Sequence, residues 1–95
     1  EKKKRGKAIE NVLERNMGKA YLGLAPEAQS RFKISGEKVV NEINNLLDKT
    51  KINLRKIAAL IRKWLRLLPG INRFFLEQEI KIKTDEIARL KNEFR

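Results

Sequence analysis

The side chains of this sequence that could act on another molecule are mostly cations. The chain has 95 residues, and 23 Lys and Arg against 12 Asp and Glu give a formal net charge of +11 at pH 7. It contains no His and no Cys. Thiol and imidazole nucleophiles, disulfide scaffolds and zinc fingers are therefore excluded. The chemistry that remains is that of amines, guanidinium groups, hydroxyls and carboxylates.

Five of the cations lie between residues 55 and 66, in a segment that is predicted to be a helix. At 100° per residue they fall within an arc of about 120°, and the apolar residues of the segment occupy the other side. No acidic residue interrupts the sequence between Asp48 and Glu77. A face about 17 Å long can meet several phosphates of a nucleic-acid backbone at once. This basic face consists of Arg55, Lys56, Arg62, Lys63 and Arg66.

A second cluster of cations stands at the N-terminus. Like charges with no apolar residues to bury are typical of segments that do not fold. Residues 1–7 are therefore predicted to be a flexible basic arm that adds phosphate contacts to those of the basic face. Its cations are Lys2, Lys3, Lys4, Arg5 and Lys7.

The carboxylates offer little for catalysis. Glu79 and Glu86 are seven residues apart and so share one side of a helix, but di-metal sites in helical bundles pair Glu with a His three residues later. The glycines form neither of the patterns that cradle nucleotide phosphates. We interpret the carboxylates as solvated charge, and we expect no catalytic residue, no metal, no cofactor and no enzymatic activity.

Helices must position these residues, because no alternation of polar and apolar residues indicates a strand. The sparse Gly and Pro residues divide the chain into predicted helices at about 7–17, 26–49, 53–68 and 71–95, with a loop at 18–25. The predicted fold is all-α, a small elongated helical bundle of about four helices, two of them long. A chain of this length forms one domain, assigned to residues 8–95.

Gly36 lies within the apolar stripe of the second predicted helix. Either a neighbouring helix approaches closely at this residue, or the helix breaks and Ser35 caps a new one from Glu37. Trp64 lies in the apolar arc of the third helix, opposite the basic face, and is predicted to be a core residue.

The end of the fourth predicted helix carries a single apolar stripe of Ile87, Leu90 and Phe94. A stripe of this kind packs against one neighbour, and this neighbour could be a second copy or another protein. Residues 76, 80, 83, 87, 90 and 94 have coiled-coil spacing, although Lys83 occupies one of these positions.

The first functional hypothesis is a non-enzymatic module that binds DNA or RNA through phosphates. Two alternatives stay open: a structural or assembly subunit that docks through its last helix onto itself or an acidic partner, and a protein that binds an anionic membrane surface. The chain has no transmembrane segment by its apolar runs. Sequence-specific readout of a single strand is not favoured, because most aromatics lie on apolar stripes. The absence of Cys and of a signal peptide favours a cytoplasmic location.

Overall fold

The helices account for 77% of residues 1–94, which are the residues that a computed structural model describes, and this range contains no strand. The prediction of an all-α bundle with two long helices is confirmed, since two helices have 21 residues each. The elements are α1 (Lys2–Glu14), α2 (Gly18–Leu22), α3 (Pro26–Leu46), α4 (Leu54–Leu65) and α5 (Arg73–Glu93).

The four longer helices form a closed arrangement in which α1 packs against α3, α3 against α4, α4 against α5 and α5 against α1. Each neighbouring pair is antiparallel, and the molecule measures 39 × 25 × 17 Å. One apolar cluster fills the interior. Each of the four longer helices contributes at least one isoleucine with no exposed surface to this cluster; they include Ile9, Ile43, Ile61 and Ile87.

Local signals set where most of the helices begin. Pro26 is the first residue of α3, and the side chain of Asn53 accepts a hydrogen bond from the backbone N–H of Lys56 at 3.0 Å at the start of α4. The Asn72 side chain likewise accepts hydrogen bonds from the backbone N–H groups of Phe74 and Phe75 at the start of α5. These contacts satisfy backbone donors that have no partner within the helix. The predicted loop at 18–25 instead contains the short helix α2.

Gly36 is a point of close approach, and α3 is continuous through it. A Cβ atom at this residue would lie 3.1 Å from Nε1 of Trp64. The indole of Trp64 stacks on Phe32 with ring centroids 4.5 Å apart, and its N–H donates to the Phe32 carbonyl at 2.9 Å. The first of the two interpretations of Gly36 is therefore confirmed, and Trp64 is a core residue.

The apolar stripe near the end of α5 is used within the chain. Ile87 has no exposed surface, Leu90 is 8% exposed, and Phe94 packs against the same core. The expectation that this stripe contacts another molecule is wrong for Ile87 and Leu90, because α5 closes the bundle against α1. A stripe in the sequence indicates that a helix has a neighbour, but it does not say whether the neighbour belongs to the same chain.

Two side chains of α5 form a buried ion pair: Glu79, which the sequence indicated as solvated charge, and Lys83, which occupies one position of the coiled-coil spacing. Nζ of Lys83 lies 2.8 Å from Oε1 of Glu79, and the two side chains are 1% and 2% exposed. The same ammonium donates to the carbonyls of Arg15 at 2.7 Å and Val12 at 3.4 Å. It therefore satisfies carbonyl groups at the C-terminal end of α1, where a cation is favoured.

Candidate nucleic-acid interface

The basic face is exposed because the other side of α4 is committed to the core. Ile57, Ile61 and Leu65 have no exposed surface, and this fixes the rotation of the helix about its axis. Four of the five predicted cations are exposed and have no ion-pair partner among residues 1–94. These four are Arg55, Lys56, Lys63 and Arg66.

Arg62 is the member of the basic face with a partner. Its Nη2 lies 2.7 Å from Oε1 of Glu77 on α5, and its side chain is 35% exposed. The pair offsets one charge near the middle of the face and joins α4 to α5 at this point. Sequence reasoning missed Glu77 because the contact depends on how the two helices pack, and 15 residues separate the partners.

The two ends of α4 differ in how well they tolerate cations. Near its C-terminus, Lys63 and Arg66 meet the negative end of the helix dipole, which stabilises them. Arg55 and Lys56 lie in the first turn, where the dipole favours carboxylates. Helix stability therefore does not account for these two residues. Lys51, exposed just before α4, extends the positive charge at the same end.

The prediction of a flexible N-terminal arm is wrong, because α1 begins at Lys2. Arg5 is only 8% exposed. Its guanidinium donates to the Asn44 carbonyl at 2.8 Å and also to the side chains of Asn44 and Asp48. Nζ of Lys2 lies 2.6 Å from Oδ2 of Asp48. These acceptors stand at the end of α3, too far along the sequence to be recognised as partners.

The remaining cations of the predicted arm divide into two kinds. Lys7 lies 3.0 Å from Glu10, and this hydrogen bond raises the pKa of Lys7. Lys3 and Lys4 are exposed and have no ion-pair partner in the part of the chain that the structure describes. Of the five arm residues, these two alone have the exposure and free charge that the predicted phosphate contacts require.

Asp48 is expected to make stability depend on pH in the acid range. Hydrogen bonds from Lys2 and then Arg5 lower its pKa from 3.8 to about 2. A depressed pKa in the folded state stabilises the fold above the unfolded pKa, and this contribution is lost as the pH falls through the folded value. Between about pH 4 and about pH 2, the thermal midpoint of the native protein should therefore fall more steeply than that of Asp48→Asn. Parallel profiles measured by circular dichroism would contradict this expectation.

The charges of the surface are segregated. A groove of about 500 Å³ lies where α1, α2 and α3 meet above the Trp64 ring. Three carboxylates, of Glu10, Glu14 and Glu37, and one cation, Lys33, contribute to its lining. Such a groove does not suit a polyanion, whereas the basic face does. Within residues 1–94, no group of three or more carboxylates is placed to hold a metal ion.

The fold and the site together define a small antiparallel helical bundle with one cationic helix face. Comparison of the chain with protein-family models, with curated proteins and with solved structures finds no match. None of the helices described is both long enough and apolar enough to span a bilayer.

Proposed function

We propose that this protein binds DNA or RNA through the phosphate backbone, with the basic face of α4 as the contact surface. The observation that carries the proposal is that Arg55, Lys56, Lys63 and Arg66 project from one rigid helix into solvent without a carboxylate partner among residues 1–94. Each phosphate that such a cation neutralises releases condensed counterions, which is the main source of affinity in backbone binding.

The electrostatics of the chain support a polyanionic ligand. A net charge of +11 on 95 residues creates a positive potential that attracts polyanions over a distance of several ångströms. Within the basic face, Lys63 and Arg66 are three residues apart and have no carboxylate partner among residues 1–94, and like charges at this spacing repel each other by about 0.2–0.5 kcal/mol. A bound phosphate backbone would relieve this repulsion.

Burial argues against the membrane alternative for α4. An interfacial helix inserts its apolar side into the lipid, but in this protein Ile57, Ile61 and Trp64 are packed inside the bundle. Insertion would require α4 to leave its neighbours and expose the core. Phosphate contact requires no such change, because the cations already face solvent.

Charge reversal on the basic face tests the proposal. The triple variant Lys56→Glu, Lys63→Glu, Arg66→Glu is expected to bind a mixed-sequence duplex at least about 30-fold more weakly than the native protein, as measured by fluorescence anisotropy. For the native protein, four contacts predict a slope of log K against log salt of about −3 to −4. In the variant this slope should approach about −1, because one unpaired cation remains.

A matched control distinguishes the effect of the basic face on binding from the effect of the net charge. Lys19, Arg31 and Lys38 are exposed residues of α2 and α3, and reversing all three gives the same net charge as the test variant. This control should keep affinity within about threefold of the native protein. Equal losses in the two variants would contradict a localised site, and a native protein that does not bind duplex or single strand would remove the proposal.

A further inference from the structure

Phe74 is the most exposed large apolar side chain among residues 1–94, with 85% of its surface accessible. It lies in the first turn of α5, where the Asn72 side chain accepts hydrogen bonds from the backbone N–H groups of Phe74 at 2.9 Å and Phe75 at 3.0 Å. The ring is therefore held on a capped helix end rather than on a loose loop. The residues one turn further on the same side of α5 are Glu77 and Gln78, both exposed.

The packing of α4 against α5 places this ring at one end of the basic face. The two helices are antiparallel, and the 2.7 Å contact between Arg62 and Glu77 joins them side by side. One turn closer to the connecting loop stand Arg66, the residue that follows α4, and Phe74 in α5. Leu67, in that loop, is 49% exposed. A line of cations thus ends beside an uncovered aromatic ring.

We propose that the ligand of the basic face is a single-stranded nucleic acid, with its phosphates along α4 and one unpaired base stacked on Phe74. This inference rests on the proposed function and names the class of nucleic acid. Cations beside an exposed aromatic ring are the combination that binds single strands, because the cations follow the backbone and the ring takes up a base face. In a duplex the base faces are stacked on each other and are not available to the ring.

Stacking on one ring does not require a particular base. Every base has a flat apolar face, so the contact tolerates sequence, as the phosphate contacts do. The sequence did not favour specific readout of a single strand, because most of its aromatic residues lie on apolar stripes. The structure shows that this ring belongs to no buried stripe. The exposure of Phe74 could not be predicted from the sequence alone.

The test compares three probes of the same strand length, of which the single strand and the abasic chain carry the same number of phosphates. They are a mixed-sequence oligonucleotide of about 12 residues without self-complementarity, its duplex at matched strand length, and an abasic oligonucleotide. The native protein should bind the single strand about tenfold more tightly than the abasic chain. Phe74→Ala should lose this tenfold difference by weakening only single-strand binding, and Phe74→Trp should keep it. Each probe is made as DNA and as RNA.

The controls keep this inference separate from the proposed function. Because Phe74 is exposed, its variants should unfold at the same temperature as the native protein, as circular dichroism will show. If the native protein binds the single strand and the abasic chain equally, or if Phe74→Ala weakens both equally, the stacking contact is wrong while phosphate binding stands. If no probe binds, the proposed function itself fails.

One further outcome would indicate that Phe74 contacts a lipid surface instead of a nucleic acid. Binding of the native protein and of Phe74→Ala is measured with vesicles that contain phosphatidylserine. A loss of vesicle binding in Phe74→Ala, with unchanged binding of the single strand, would overturn the inference. Unchanged vesicle binding together with loss of single-strand binding supports it.

Discussion

Replacing Lys83 with Met is expected to lower the free energy of unfolding by about 3–5 kcal/mol. The variant leaves the carboxylate of Glu79, whose side chain is 2% exposed, without its cation. The nearest remaining donor is Nδ2 of Asn16 at 3.4 Å, too distant to replace a charged partner. The change also removes the ammonium that donates to the Arg15 carbonyl at 2.7 Å. Equilibrium denaturation in urea, followed by circular dichroism, measures the loss.

A double variant distinguishes the effect of removing the whole ion pair from the effect of leaving one buried charge without a partner. In Glu79→Leu, Lys83→Met, no charge is left unpaired in the core, and replacing a buried ion pair with apolar residues is often close to neutral. The double variant should therefore be more stable than the single variant, although the Arg15 carbonyl still lacks its donor. Lys81→Met, at an exposed position of the same helix, should change stability by less than about 0.5 kcal/mol. A single variant as stable as Lys81→Met would contradict the buried pair.

Replacing Trp64 with Ala is expected to lower the free energy of unfolding by about 3–5 kcal/mol as well. The indole is 5% exposed, stacks on Phe32 and donates to the Phe32 carbonyl. Its removal opens a cavity between α3 and α4 and leaves that carbonyl without this donor. The same denaturation experiment measures the effect, and a loss of less than about 1 kcal/mol would contradict the packing at this interface.

The contact between Trp64 and Gly36 predicts that the effect of Gly36→Ala on the free energy of unfolding changes sign when Trp64 is removed. In the native protein, Gly36→Ala places a Cβ 3.1 to 3.3 Å from three atoms of an indole that is held by its stacking on Phe32 and its hydrogen bond to the Phe32 carbonyl, so it should destabilise by about 1 kcal/mol. In the Trp64→Ala background this obstacle is gone. The same substitution should then stabilise α3 by up to about 1 kcal/mol, because Ala favours a helix more than Gly does. Equal effects in both backgrounds would show that the two residues do not interact.

Much of the fold could be predicted because its signals are local. Pro26 starts α3, Asn53 starts α4, and Pro69 with Gly70 separates α4 from α5, each through the conformation of a few neighbouring residues. The apolar periodicity of α4 also predicts which side faces the core. Once this side is buried, the cations on the opposite side must face water. Thus the basic face follows from the order of residues in one helix.

The predictions that were wrong concern residues whose contacts join distant parts of the chain. Arg5 looks like part of a solvated basic cluster until α3 brings Asn44 and Asp48 to it, 39 and 43 residues further along. Glu79 looks like a surface carboxylate until Lys83 and the end of α1 enclose it. In both cases the charge is visible in the sequence, and the burial is not.

The order of residues alone determined that this protein is a bundle of helices, that it is strongly cationic, and that one helix carries its cations on a single side. Only the tertiary structure decided which of those cations stay free, that Glu77 pairs with Arg62, and that Phe74 is exposed to solvent. The physical reason is the distance along the sequence over which each interaction acts. Helix periodicity and capping act over a few residues, whereas ion pairing and burial depend on which distant surfaces pack together.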